Sequence, residues 1–182
     1  MYMKKLSIYF GKTQIPFSLF FLFLLLAVVI GGCSKDESPE EEAGDFFIRA
    51  KIDGVQVEMK EQKTLQGSAG NNGVQHGAYI EGENEIQQSI GIHFWDLEPV
   101  SVGTYSGLEV VENGNFKGVN IGYIFDATTV YATALEGPVS SGTILVLNEK
   151  EIKGTFSGII REPLTGETLT VSAGEFYVRK IK

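Results

Sequence analysis

From residue 45 onward, apolar and polar positions alternate with a period of two. Phe46, Ile48, Ala50 and Ile52 interleave with Phe47, Arg49, Lys51 and Asp53. After Asp53-Gly54 the alternation resumes, with Val55, Val57 and Met59 against Gln56, Glu58 and Lys60. Period two places alternate side chains on opposite faces of a strand, and Asp-Gly supplies the positive φ of a tight turn, so this stretch predicts a β-hairpin. The same grammar predicts strands over 78–81 and 88–95, where Ile90, Ile92 and Phe94 share one face. It predicts further strands over 118–126 and 129–135 around Asp126-Ala127-Thr128, then 143–147, a turn at Asn148-Glu149-Lys150-Glu151, and 152–161. Residues 167–172 and 175–181 read as a closing pair around Ala173-Gly174, and 64–77 and 98–115 read as long Gly/Asn loops. No stretch after residue 45 carries an apolar stripe at i, i+3, i+4 and i+7. The expectation for 45–182 is an all-β domain, a single antiparallel β-sandwich or alternatively a β-barrel.

The N-terminus breaks this pattern. Residues 1–32 begin with Lys4, Lys5 and Lys12, and every residue of 17–30 except Ser18 is apolar. Gly31, Gly32 and Cys33 follow. A basic start, an apolar run and small residues are the parts of a secretory signal. The alternative, an uncleaved membrane helix, needs about 20 apolar residues to cross a ~30 Å layer, and this run is shorter. Residues 33–44 contain no large apolar side chain and read as an acidic, flexible tether.

Ile30-Gly31-Gly32-Cys33 resembles the lipobox of bacterial lipoproteins, with Ile30 where Leu is commoner. The resemblance implies lipidation of Cys33, cleavage before it and acylation of the new amino group. Several buried acyl chains anchor stably where one does not. Ser34-Lys35-Asp36-Glu37 resembles the export signal of Bacteroidota surface lipoproteins. That resemblance implies that Lys35, Asp36 and Glu37 are read by export machinery. The expected location is the outer membrane, at the cell surface or otherwise on its periplasmic face.

Cleavage changes the charge. Three of the 15 bases and none of the 23 acids lie before Cys33, so the formal net charge goes from −8 to −11. An acidic chain is not expected to bind nucleic acid, and its membrane contact is expected through acyl chains alone. A single Cys excludes an internal disulfide and any multi-cysteine metal site.

The mature domain carries a second resemblance. Gly154-Thr155-Phe156-Ser157-Gly158, Leu164 through Val171, and Gly174-Glu175-Phe176-Tyr177-Val178 are similar to the C-terminal end of an uncharacterised Bacteroidota lipoprotein domain, and Phe46 or Phe47 through Gly54 fits its start. The resemblance implies a β domain on a lipid anchor and supplies no activity.

Chemistry is sparse. His93 and Trp95 share the strand face opposite Ile90, Ile92 and Phe94. A polar-aromatic face of this kind suits a ligand platform, with Trp95 stacked on a sugar ring and His93, Asp96 or Glu98 taking hydroxyls. Strand aromatics are more often core residues, so Trp95 is expected on the buried side of a sandwich. Tyr105 and Tyr123 complete the set of ligand-contact candidates: His93, Trp95, Asp96, Tyr105 and Tyr123. The spacing of His76, Glu81, His93 and Asp96 selects no metal. Gly-x-Ser-x-Gly, Walker and Rossmann patterns are absent, so neither a catalytic residue nor a cofactor other than the lipid on Cys33 is expected. The expected role is a non-catalytic binding module for a glycan, a peptide or an outer-membrane protein partner. The alternative is a structural envelope accessory without a small ligand, and less favoured is a hydrolase using paired acids.

Overall fold

The structure is a computed structural model describing residues 9–10, 13–14, 46–60, 65–73, 75–126, 128–135 and 139–181. Cys33, Lys35, Asp36, Glu37 and the rest of the tether lie outside the described residues, as does most of the signal segment. The chain divides into two compact units, Met1–Ala43 and Gly44–Lys182. In the first, β1 (Tyr9–Phe10) and β2 (Thr13–Gln14) pair antiparallel. No helix among the described residues is long and apolar enough to cross a membrane.

The second unit is all-β. Its strands are β3 (Phe47–Ile52), β4 (Val55–Met59), β5 (Gln66–Asn71), β6 (His76–Glu83), β7 (Ser89–Asp96) and β8 (Gly103–Ser106). Then come β9 (Leu108–Val110), β10 (Phe116–Ile124), β11 (Val130–Ala132), β12 (Ser141–Leu147), β13 (Glu151–Arg161) and β14 (Thr168–Arg179). They form one antiparallel sheet of 12 strands, ordered β4-β3-β14-β13-β11-β10-β7-β6-β5, with β12 joining β13 to β8 and β9 paired on β10. The sheet curls into a half-barrel, within the sandwich-or-barrel class that the alternation predicts. A parallel bridge from Gly67 to Lys180 ties β5 to the end of β14.

The inner face is the core. Ile48, Met59, Ile80, Ile90, Ile92, Phe94, Val119, Ile121, Ile144, Ile152, Ile160 and Phe176 are all under 2% exposed. On β7 the alternation is clean, with Ile90, Ile92 and Phe94 inside and the residues between them facing out. Acidic and amide side chains lock the turns by accepting backbone N–H groups, which fixes strand register. Asp53 Oδ1 accepts Thr170 N at 2.6 Å, across the sheet from its own hairpin. Asn84 Oδ1 takes Ile86 N and Gln88 N, and Asn148 Oδ1 takes Lys150 N and Glu151 N.

Two expectations are corrected. Ala173-Gly174 is a bulge inside one long strand, β14, rather than a turn between two. Register against both β13 and β3 slips by one residue here, and Ala173 takes φ +49°. Gly174 is required, because a Cβ there would lie 2.3 Å from the Phe156 carbonyl oxygen. Bulges sharpen local twist, which helps the sheet coil. The expected loops over 64–77 and 98–115 contain β5, β8 and β9. The Gly- and Ser-containing strands β5 and β8 pair at the sheet's margins, where backbone hydrogen bonds rather than alternating hydrophobes hold them.

Candidate functional site: the outer face of β6, β7 and β10

The register of β6, β7 and β10 gathers their outward side chains. Tyr79 sits opposite His93, and His93 opposite Asn120; Gly77 and Gly118 flank Trp95, and Gly91 pairs with both Glu81 and Gly122. His93 Nε2 lies 3.1 Å from Glu81 Oε1.

Trp95 is half-buried on this outer face, so the expectation that it lies in the core is corrected. Phe94 takes the core position, and the strand's period of two forces Trp95 to the other side. The side chain stays partly covered because glycines around it leave room for aromatic neighbours. The Tyr79 ring occupies the space that a Cβ on Gly77 would take, and it meets Trp95 edge-on at 4.9 Å and 89°. Phe116 lies 6.1 Å from Trp95, and His93 6.4 Å. Burial pushes the Tyr79 hydroxyl above its usual pKa.

Beyond His93 opens a cleft of about 550 Å³. Gly91 and Gly122 line it, and side chains added there would meet only ordinary contacts, at 3.4 Å or more. Glu81, His93 and Asn120 line it as polar groups, and Ile124, Val130 and Ala132 supply an aliphatic wall. Among the described residues, no Lys or Arg lines it. Glu81 and Glu83 also border the cleft, but as neighbours on one strand they stand side by side and do not face each other across it.

Asn120 is the chemical anomaly. Its Oδ1 is buried and has no hydrogen-bond partner among the described residues. The other buried polar side chains are satisfied. Gln75 donates to the Phe116 carbonyl, Glu162 accepts the Leu164 and Thr165 amides, and Thr133 and Ser140 share a hydroxyl contact of 2.9 Å. An unpaired buried acceptor is costly and rare in folded proteins.

Two sequence candidates lie elsewhere, and a third, Tyr123, borders the cleft from a strand position that faces the core. Asp96 Oδ1 accepts Leu97 N at 2.8 Å and is committed to the turn after β7. The Tyr105 hydroxyl donates to Ser101 O and accepts Ser101 N, and its ring packs on Phe94. Tyr123 is 3% exposed on the inner face, where burial and then Tyr131 push its hydroxyl pKa up. His93 therefore meets Trp95 by ring contact and shares the lining of the cleft with Tyr123, while Asp96 and Tyr105 lie apart from both. Asn120, Gly91 and Gly122 were not singled out from sequence; only three adjacent strands in register reveal them. No three His, Cys, Asp or Glu side chains converge among the described residues.

Comparison of the chain with protein-family models, with curated proteins and with solved structures returns no match.

Proposed function

We propose that this protein is a lipid-anchored, non-catalytic binding module of the outer membrane, and that the Gly91–Gly122 cleft is its ligand site. The anchor rests on Ile30-Gly31-Gly32-Cys33 and the acidic tether. The binding reading is carried by one observation: a glycine-floored cleft on the outer face of the sheet, lined by Glu81, His93 and Asn120. A cleft of this size lies within the range of small-molecule sites, roughly 300–1,000 Å³. The glycines fit that role, since they hold open a space that most strand residues would fill.

Trp95 is the only tryptophan in the chain and stands behind His93, so its emission reports on the site without a label. A panel of cationic, neutral and anionic small molecules, monosaccharides included, is titrated against the full chain and against Gly122→Leu. Saturable changes that disappear in the variant support the site. Responses unchanged by Gly122→Leu, or none with any compound, sink it. The anchor is tested separately. Cys33→Ser should move the protein from the membrane to the soluble fraction, and external protease on intact cells should cleave the tagged wild type. A Cys33→Ser protein that stays membrane-bound removes the lipid from the account. Protection from external protease moves the protein to the periplasmic face.

A further inference from the structure

The sheet has two ends, and both carry exposed apolar side chains. At the end that holds the β3–β4, β6–β7, β10–β11 and β13–β14 turns these are Val55, Ile86, Phe125 and Leu164. At the opposite end, where β3 begins and β14 finishes, they are Val102, Leu145 and Ile181. The two ends differ in the sign of their charge. Beside the first group acids predominate, with Asp53, Asp126, Glu162 and Glu167 against Lys51 and Arg161. Beside the second, bases predominate, with Lys150, Lys153, Arg179 and Lys180 against Glu149 and Glu151. The acidic β13–β14 loop lies about 30 Å from Glu151 along the length of β13. That is several screening lengths at physiological salt, about 8 Å each, so the net charge of the chain does not set the local sign.

Register builds the cationic end into a band. Gly103 pairs with Ile144, which brings Val102 toward Leu145, the bulge residue of β12. Val146 pairs with Lys153, Lys153 with Tyr177, and Tyr177 with Phe47. Five strands at about 4.8 Å spacing make this band about 20 Å wide. Its rings, Phe46, Phe47 and Tyr177, are partly exposed, and Phe46 and Tyr177 lie 4.9 Å apart. Lys153 Nζ is 5.7 Å from the Tyr177 ring centre, and the Arg179 guanidinium 5.6 Å from that of Phe46. Rings with a polar tip, and lysines with an apolar stem and a charged head, suit a lipid–water interface. A lipid surface needs no cleft, so the mutual packing of these rings does not oppose it.

The tether selects the occupant. Phe46, in the band, is the first described residue of the domain, and Cys33 lies 13 positions before it. A chain of that length reaches at most about 45 Å, and a short leash turns a weak contact into an intramolecular one. The tether's own acids, between Asp36 and Glu42, oppose a strongly anionic leaflet. We infer that this end of the domain docks on zwitterionic phospholipid in the leaflet that holds the anchor. Lys150 and Lys153 meet lipid phosphates, and Val102, Leu145 and Tyr177 lie at the interface. The inference rests on the proposed lipid at Cys33 and adds a protein surface to the contact made by the acyl chains.

The full-length protein, purified from membranes, is reconstituted into phosphatidylcholine vesicles that carry headgroup spin-labelled lipid. A nitrobenzoxadiazole label is placed at Leu145→Cys or, at the other end of the sheet, at Leu164→Cys. The Leu145→Cys label should be quenched at least threefold more than the Leu164→Cys label. Adding Lys150→Glu and Lys153→Glu to Leu145→Cys should cut its quenching at least threefold, with Trp95 emission unchanged as the sign of an intact fold. Equal quenching at both positions, or stronger quenching at Leu164→Cys, overturns the docking and leaves the anchor standing. A bias that survives the charge reversal overturns the role given to the lysines. Wild type that itself takes the label has a free Cys33 thiol, which overturns the anchor and the docking with it.

Discussion

The sheet has two outward faces that differ in how completely they satisfy themselves. On β3, β13 and β14 the outward residues pair with one another. Arg49 clamps Glu175 through Nε at 3.0 Å and Nη2 at 2.5 Å, and its guanidinium lies 4.5 Å from the Phe47 ring centre. Tyr177 donates to Glu151 Oε2 at 2.6 Å, which holds the phenol above its usual pKa, and Lys153 sits over the same ring. On β6, β7 and β10 the outward positions include Gly91 and Gly122, a His93–Glu81 contact, packed rings at Tyr79 and Trp95, and Asn120, whose Oδ1 has no partner among the described residues. One alternating pattern builds both faces. The first is a closed set of charges and rings, and the second leaves space and a hydrogen-bonding need. That contrast is the reason to assign binding to the second.

The inner side should not share the contrast. Phe94 lies under the cleft face and Phe176 under the paired face, their rings 6.0 Å apart and both buried. Phe94→Ala and Phe176→Ala should each cost about 3–5 kcal/mol in chemical denaturation. Because the rings touch, the double variant should cost measurably less than the two costs added together. A much cheaper loss on one side would mean that the core does not run continuously under both faces.

The next effect carries the opposite sign. Asn120→Val removes an unpaired acceptor and places a β-branched residue in a strand, so the protein should gain about 1–2 kcal/mol. The measurement is the denaturation midpoint at constant slope. A loss of stability would mean that Asn120 is already satisfied, and the contrast between the faces would weaken.

The β3–β4 hairpin was legible in the sequence because Asp53-Gly54 and the flanking alternation depend only on neighbours in the chain. The turns at Asp126 and Asn148 were legible for the same reason. Residues 66–71 were not, since Gln-Gly-Ser-Ala-Gly-Asn has no alternating hydrophobes and becomes a strand only by pairing with β6. Ala173-Gly174 looked like a turn because local chemistry cannot distinguish a turn from a bulge whose flanks continue in one direction. Trp95 was placed with His93 on one face, but local pattern could not say which face was buried. The cleft was wholly illegible: Gly91, Gly122 and Asn120 are unremarkable singly and meet only through long-range register.

Within the paired face the individual ties should be weak. Arg49 and Glu175 are both close to half exposed, so their ion pair is screened by solvent. A double-mutant cycle with Arg49→Met and Glu175→Gln should return a coupling of about 0.2–1 kcal/mol. The coupling should shrink in 1 M salt, where the screening length falls to about 3 Å. A larger, salt-insensitive value would mean that the pair is shielded and organises the face. A value near zero would leave Tyr177, Glu151 and the ring contacts to hold it.

The smallest expected effect separates the loops that end the two faces. Glu162 opens the β13–β14 loop, where its carboxylate accepts the amides of Thr165 and Leu164. Those bonds hold its pKa below the usual 4.5, with Thr165 as the larger cause. Asp126 closes β10 beside the cleft, and bonds from Thr128 and Thr129 lower its pKa from 3.8 in the same way. A carboxylate depressed on folding contributes stability above its unfolded pKa and loses it as pH falls through the folded one. Glu162→Gln should therefore lower Tm at pH 7, and the difference from wild type should close below about pH 4.5. Asp126→Asn should follow the same course from about pH 3.9 downward. Gaps that persist unchanged at low pH would assign both side chains a purely geometric role, indifferent to their charge.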